Sequence, residues 1–208
     1  MIRRCIVLFA ALVLVAGCST GGGGKATPSE LNPNAGAGPY QGAGLTPPQP
    51  RPNFTLTDTT GKRFDFGSVT AKHPTLLFFG YTHCPDVCPT TMSDISIALK
   101  SVPAAVAKDT YVVFVTTDVK RDTGPVLARW LSNFSGGARA KIVGLTGTQA
   151  QIDAAQAAAH SLVAEDNGQT HSSKLVLYGP DDYARVAFLQ STMLQKQIAH
   201  DLPLIAAG

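Results

Sequence analysis

Hydrophobic positions fall along the chain in blocks whose spacing changes, and each change predicts a different element. The first block runs unbroken for 11 residues from Ile6 to Ala16, behind Arg3-Arg4 and ahead of Gly17-Cys18. As a helix it spans about 17 Å, short of the ~30 Å hydrocarbon core of a bilayer, so residues 1–17 read as an export signal rather than a permanent anchor. Large apolar side chains then nearly vanish: Ser19 to Pro52 holds eight Gly and seven Pro in 34 positions. Such a stretch buries too little apolar surface to offset its ordering entropy, which predicts a disordered tether over 18–52.

From Asn53 to Gly208 the pattern alternates strand-length and helix-length blocks. Asn53 to Thr57 and Arg63 to Phe66 read as a hairpin around Thr60-Gly61. Thr75 to Tyr81 is a continuous apolar run, as expected of a central strand covered on both faces. Thr91 to Lys108 reads as helix, with Pro103 expected to kink or end it. Tyr111 to Thr116 is a second buried strand, Asp122 to Phe134 a helix, Lys141 to Gly144 a short strand and Thr148 to His160 an Ala-rich helix. Lys174 to Tyr178 and Arg185 to Leu189 close a hairpin around Gly179-Pro180-Asp181, and Met193 to Leu202 forms a last helix. This order predicts an α/β domain over 53–208: a mixed β-sheet flanked by helices, with an N-terminal β-hairpin extension.

Charge and cysteine count refine the picture. The chain has 208 residues with 17 Lys+Arg against 14 Asp+Glu. Once Arg3 and Arg4 leave with the signal, the basic excess falls to one, so nucleic acid is not an expected partner. Four cysteines are too few for a disulfide scaffold. Cys5 lies in the signal. Val15-Ala16-Gly17-Cys18 resembles the lipobox of bacterial lipoproteins, which makes Cys18 the candidate lipidation site, the alternative being an ordinary signal peptide with Cys18 a bystander. One acyl chain binds membranes only marginally, so stable attachment needs at least two. The expected location is therefore extracytoplasmic, anchored to the cell membrane through lipid.

The two remaining cysteines lie in Gly80-Tyr-Thr-His-Cys84-Pro-Asp-Val-Cys88-Pro89, at the C-terminal end of the first central strand. Open α/β sheets place ligands beyond such strand ends. Four residues apart, Cys84 and Cys88 share one face of a helical turn, and a helix start favours thiolate. Pro89 disfavours α geometry at Cys88, so a one-turn loop is expected from Cys84 to Cys88, with regular helix from about Pro89. Three readings fit the pair: a small structural disulfide, a thiol–disulfide redox pair one residue wider than the usual Cys-x-x-Cys, or a soft metal site suited to copper. The metal site needs a third ligand. His73, His160 and His200 read as surface or capping residues, and His83, adjacent to Cys84, should diverge from it. His171 precedes the Lys174 to Tyr178 strand, where a loop can face the crevice.

Together the motifs resemble the Sco/SenC family, thioredoxin-fold copper proteins of cytochrome c oxidase assembly. The resemblance rests on Gly80 to Thr91, Thr116-Thr-Asp-x-x-Arg-Asp-Thr123, Gly144-Leu-Thr-Gly147, and His171-Ser172 before a strand ending in Tyr178-Gly-Pro-Asp181, in the family's order. It implies a thioredoxin-like fold and copper, as Cu(I) or Cu(II), held by Cys84, Cys88 and His171. It also implies a monomeric, membrane-anchored chaperone for the dinuclear copper site of oxidase subunit II. The alternative function is a thiol–disulfide oxidoreductase keeping cysteines of the oxidase or other exported proteins reduced, with Cys84 and Cys88 as its redox pair. The stretch before the Lys174 strand carries no proline, where thioredoxin-like enzymes usually have a cis-proline, which favours metal. A peroxidase fits less well, because Tyr81 and Pro85 stand where its Thr-x-x-Cys threonine belongs. A lipoprotein that only senses copper or redox state is a third class. Val119 and Gly179-Pro-Asp-Asp182 depart from the family's usual loops without touching a ligand. Asp86 reads as a turn former or an extra Cu(II) ligand. Asp118, Arg121 and Asp122 are candidates to orient the site or meet a partner, the alternative being solvated loop charges.

Overall fold

The computed structural model describes residues 38–163 and 173–208, with the backbone of a short strand β1 at Glu30–Asn32. Cys5, Cys18 and His171 lie outside the described residues, as do the expected signal and residues 18–29 and 33–37 of the expected tether.

The chain runs β2 (Ala43–Pro50), β3 (Thr55–Asp58), β4 (Arg63–Asp65), α1 (Phe66–Thr70), β5 (Thr75–Gly80), α2 (Val87–Ser101), α3 (Ala104–Asp109) and β6 (Tyr111–Thr116). It continues with α4 (Gly124–Ser135), β7 (Lys141–Thr146), α5 (Gln149–Ala158), β8 (Leu175–Tyr178), β9 (Tyr183–Phe188) and α6 (Leu194–Ala206). The strands form one mixed sheet in the order β1-β2-β9-β8-β5-β6-β7-β3-β4. β5, β6 and β7 are parallel, and β8 joins β5 antiparallel with Phe78 opposite Leu175. The mixed sheet with flanking helices and the β3–β4 hairpin on the β7 edge match the sequence reading.

Every residue of β5 is buried, and its alternation divides the interior into two layers. Leu76 and Phe78 meet Val112, Phe114 and Cys88 on the side covered by α2, α4 and α6. Leu77 and Phe79 meet Val113, Val115 and Tyr178 on the side covered by α1 and α5. Two layers of helix on one sheet are what a strand apolar on both faces requires. Pro103 ends α2 as expected, because it lacks the amide that the helix interior uses.

Two expectations are corrected. Residues 43–50, placed by composition in the disordered tether, form β2 and pair with β9. Pro47 and Pro48 fall inside a register irregularity between Gly44 and Gln49, where missing amides cost no ladder hydrogen bonds. Contacts remote in sequence hold the strand. The fully buried Asp201 carboxylate on α6 accepts the amides of Gln41 and Gly42 at 2.8 Å each. Arg51 donates to Asp182 Oδ1 at 2.7 Å, Thr70 Oγ1 at 2.9 Å and the carbonyls of His73 and Gly179. The second correction is that α2 starts at Val87, two residues before Pro89. Pro89 is then third in the helix, where an amide would have no intrahelical acceptor, so the ring is tolerated.

Candidate metal centre

The site is built at the C-terminal ends of the parallel strands. β5 ends at Gly80 and β6 at Thr116, paired with each other, and the chain crosses from β5 into α2 through residues 81–86. Cys88 is fully buried in the first turn of α2, whereas Cys84 is half-buried in the loop above it. Both thiols are free. The Cys88 amide donates to Cys84 Sγ at 3.4 Å and the Cys84 amide to the Tyr81 carbonyl at 3.3 Å. One turn of backbone thus brings the two sulfurs to one point, as the spacing predicts.

Their electrostatics differ. Burial works against ionisation of Cys84, but amides of Cys88 and Asp86 donate to its sulfur, helped by the Cys88 thiol and the Tyr81 hydroxyl, and together they hold its pKa below the ordinary thiol value. Cys88 is pushed strongly upward, first by burial and then by the negative charge of Cys84 and Asp122. Tyr81 is raised as well, by burial and by its neighbour Cys84. The two thiols are thus pushed in opposite directions, Cys84 toward the thiolate and Cys88 toward the protonated form.

Gly80 is required by this arrangement, because a Cβ there would stand 2.8 Å from Cys88 Sγ. The sequence reading missed that role, although a glycine closing an apolar strand signals close approach. It also missed Thr82 and Thr116. The buried Asp122 carboxylate accepts the Thr82 amide at 2.8 Å, the Thr82 hydroxyl at 2.5 Å and the Thr116 hydroxyl at 2.7 Å. Of the charged candidates, Asp122 therefore joins the loop to the sheet. Asp118 is buried and paired with Arg121, whose guanidinium lies 5.9 Å from the Tyr81 ring centroid. Asp86 is the exposed residue before α2, its Oδ1 accepting from the Thr90 hydroxyl at 3.3 Å, in keeping with the turn role. His83 points outward, its Nδ1 3.0 Å from Thr82 Oγ1 and 3.6 Å from Asp122 Oδ1. A 420 Å³ groove separates Thr82 and His83 from Val126, Arg129 and Trp130 of α4.

Among the described residues no three His, Cys, Asp or Glu side chains form a metal cage. The expected third member, His171, lies outside them. His73 pairs with Asp109, His200 with Asp201, and His160 lies in the turn after α5, as expected of histidines with no part in the site. No helix among the described residues is long and apolar enough to cross a membrane.

The chain is similar to several known proteins. Protein SenC of Rhodobacter capsulatus is 42% identical over 102 residues, 49% of this chain and 43% of that one. The mitochondrial SCO1 homolog of Homo sapiens is 31% identical over 136 residues, 62% of this chain and 44% of that one. The match thus spans less than half the length of either relative. Among solved structures, that of Bradyrhizobium japonicum ScoI with copper bound is 28% identical with a TM-score of 0.59, covering 74% of this chain and 98% of that one. The fold is therefore that of the thioredoxin-like Sco proteins. Residues 44–206, from β2 nearly to the end of α6, match the SCO1/SenC family, and the chain belongs to that family.

Proposed function

We propose that this protein is a copper chaperone that binds copper as cargo through Cys84, Cys88 and His171 and assists assembly of the dinuclear copper site of cytochrome c oxidase. The observation that carries the reading is the pair of free thiols converging at the end of β5, one held toward thiolate and one buried, in a chain similar to a Sco protein solved with copper bound. The donor set suits the metal: soft thiolates favour Cu(I), and an imidazole extends the site to Cu(II). Support for His171 comes from β8. Leu175 stands opposite Phe78 and packs in the same layer as Cys88, so the strand that follows position 171 begins at the site's end of the sheet and on its side. Asp122 and Gly80 hold the loop and admit the sulfur, and copper, when bound, supplies the thiophilic centre that replaces the Cys88 proton. Loading therefore releases protons and weakens in acid.

The same proposal takes residues 1–17 as the signal, Cys18 as the lipid-bearing residue and the segment before β2 as the tether to the membrane, with oxidase subunit II as acceptor and a monomeric chain. Anaerobic Cu(I) titration against a competing chelator tests the ligands. One copper per chain is expected, with affinity lowered at least tenfold by Cys84→Ser, Cys88→Ser or His171→Ala. Wild-type affinity in His171→Ala refutes the three-ligand site. Rapid turnover of a disulfide substrate, indifferent to His171→Ala, would establish the oxidoreductase reading instead.

A further inference from the structure

The cysteine loop lies above the sheet, and a loop carrying a donor needs something to fix its height and direction. We propose that Asp122 is the positioning residue of this loop: its buried carboxylate latches Thr82 to the end of β6 and so sets where Cys84 stands over Cys88. The inference deepens the copper reading, since it concerns the same two thiols.

The geometry is specific. Asp122 is wholly buried, and its two oxygens take three donors from two places: the amide and hydroxyl of Thr82, two residues before Cys84, and the hydroxyl of Thr116, the last residue of β6. The carboxylate is itself held, because the Asp122 amide donates to the Asp118 carbonyl at 2.9 Å, and the Asp118 amide donates to Thr116 Oγ1 at 3.1 Å. Thr116 pairs with Gly80, and the Thr117 amide donates to the Gly80 carbonyl at 2.8 Å, so both ends of the latch refer to one rigid ladder. His83 lies on the outer side of the same carboxylate, between Thr82 and Cys84. A buried carboxylate is a poor device for stability alone, because desolvating it costs more than a well-packed apolar residue would. It is a good device for orientation, because charge-assisted hydrogen bonds are short and directional. Other buried acids of the chain show the same use: Asp201 grips the start of β2 through two amides.

The test uses the full chain without metal. Reduced protein is equilibrated with glutathione disulfide, so that the Cys84 and Cys88 thiols give two electrons and two protons to one disulfide and yield two glutathione thiols. The equilibrium constant is read by mass on the peptide holding both cysteines. Asp122→Asn and Thr82→Val are expected to lower it on the order of tenfold, the factor expected for losing one hydrogen bond to a charged group. Thr82→Ser, which keeps the hydroxyl, should return it to within about twofold. Thr116→Val releases the β6 end of the same carboxylate, so it should lower the constant in the same direction, whereas Asp201→Asn, which loosens a buried carboxylate that holds β2 rather than the cysteine loop, should lower the melting temperature while leaving the constant within about twofold of wild type. The proposal is overturned if Asp122→Asn and Thr82→Val lose stability yet keep the wild-type constant, or if Asp201→Asn shifts it as far as Thr82→Val does. Cu(II) absorption of the loaded variants gives a second readout, expected to change in Asp122→Asn, Thr82→Val and Thr116→Val but not in Asp201→Asn. Should the wild-type chain take up no copper, the copper reading fails, while the metal-free ordering of variants still decides the latch.

Discussion

Gly80→Ala probes the closest approach in the site. The new methyl would lie 2.8 Å from Cys88 Sγ and 3.1 and 3.2 Å from two carbons of the Phe114 ring. Unstrained heavy-atom contacts sit at about 3.5–4.0 Å, so the sulfur must withdraw by roughly 1 Å or the ring must turn. Neither has space. Cys88 is anchored in the first turn of α2, and Phe114 packs edge-on against Phe78, with ring centroids 5.8 Å apart, and against Trp130 at 4.9 Å. Overpacking of this kind costs about 1–3 kcal/mol, and each kcal/mol lowers the melting temperature of a domain this size by roughly 2–4 °C. Urea unfolding of metal-free protein, followed by circular dichroism, measures the loss. Because the displaced atom is a proposed donor, Cu(I) affinity should fall on the order of tenfold as well. Gly136→Ala is the control, since a Cβ there meets nothing within 4 Å and its φ of −60° suits alanine. The reasoning is refuted if Gly80→Ala unfolds within about 0.5 kcal/mol of wild type and binds copper equally well, because surface-neutral substitutions fall in that range.

Two further outcomes follow from the packing and the thiols. A fragment of residues 53–208 should melt roughly 10 °C or more below a fragment of 38–208, or aggregate, since it loses buried Leu45, worth about 1.5–3 kcal/mol, and the Arg51 and Asp201 contacts, and bares the edge of β9; equal melting temperatures would contradict that account. In metal-free protein near neutral pH, iodoacetamide should modify Cys84 well before Cys88, because the Cys84 thiol is lowered and the Cys88 thiol raised; equal rates on the two peptides would overturn the assignment. The raised Cys88 thiol also sets a sign for stability. Its contribution is complete below the ordinary thiol value of 9.0 and is lost as pH rises above it, because the unfolded chain then releases a proton that the folded one keeps. Cys84 acts oppositely, contributing above 9.0 and losing that contribution as pH falls through its lower folded value. Alkaline unfolding followed in Cys88→Ala should accordingly begin at higher pH than in wild type.

What the sequence determined by itself was whatever neighbouring residues decide. The run Leu76 to Phe79 is apolar at every position, which only a doubly covered strand tolerates, and β5, buried throughout, is that strand. A four-residue spacing brings two side chains to one face of a turn, and Cys84 and Cys88 meet. Pro103 breaks a helix by its own chemistry, and it does so between α2 and α3. The tertiary structure decided what depends on partners remote in the chain. Composition marks residues 43–50 as unable to order themselves, and alone they would not; β9, Asp201 and the Arg51 acceptors, all more than 15 residues away, supply the pairing. For Asp122 the sequence left two readings open, a residue that orients the site or a solvated loop charge, because a charged residue in a loop is ordinarily solvated. Only the fold shows Thr82 and Thr116, 40 and 6 residues away, closing over its carboxylate and excluding water. Local pattern therefore fixed the elements and the reactive pair, while long-range burial decided which polar groups hold that pair in place.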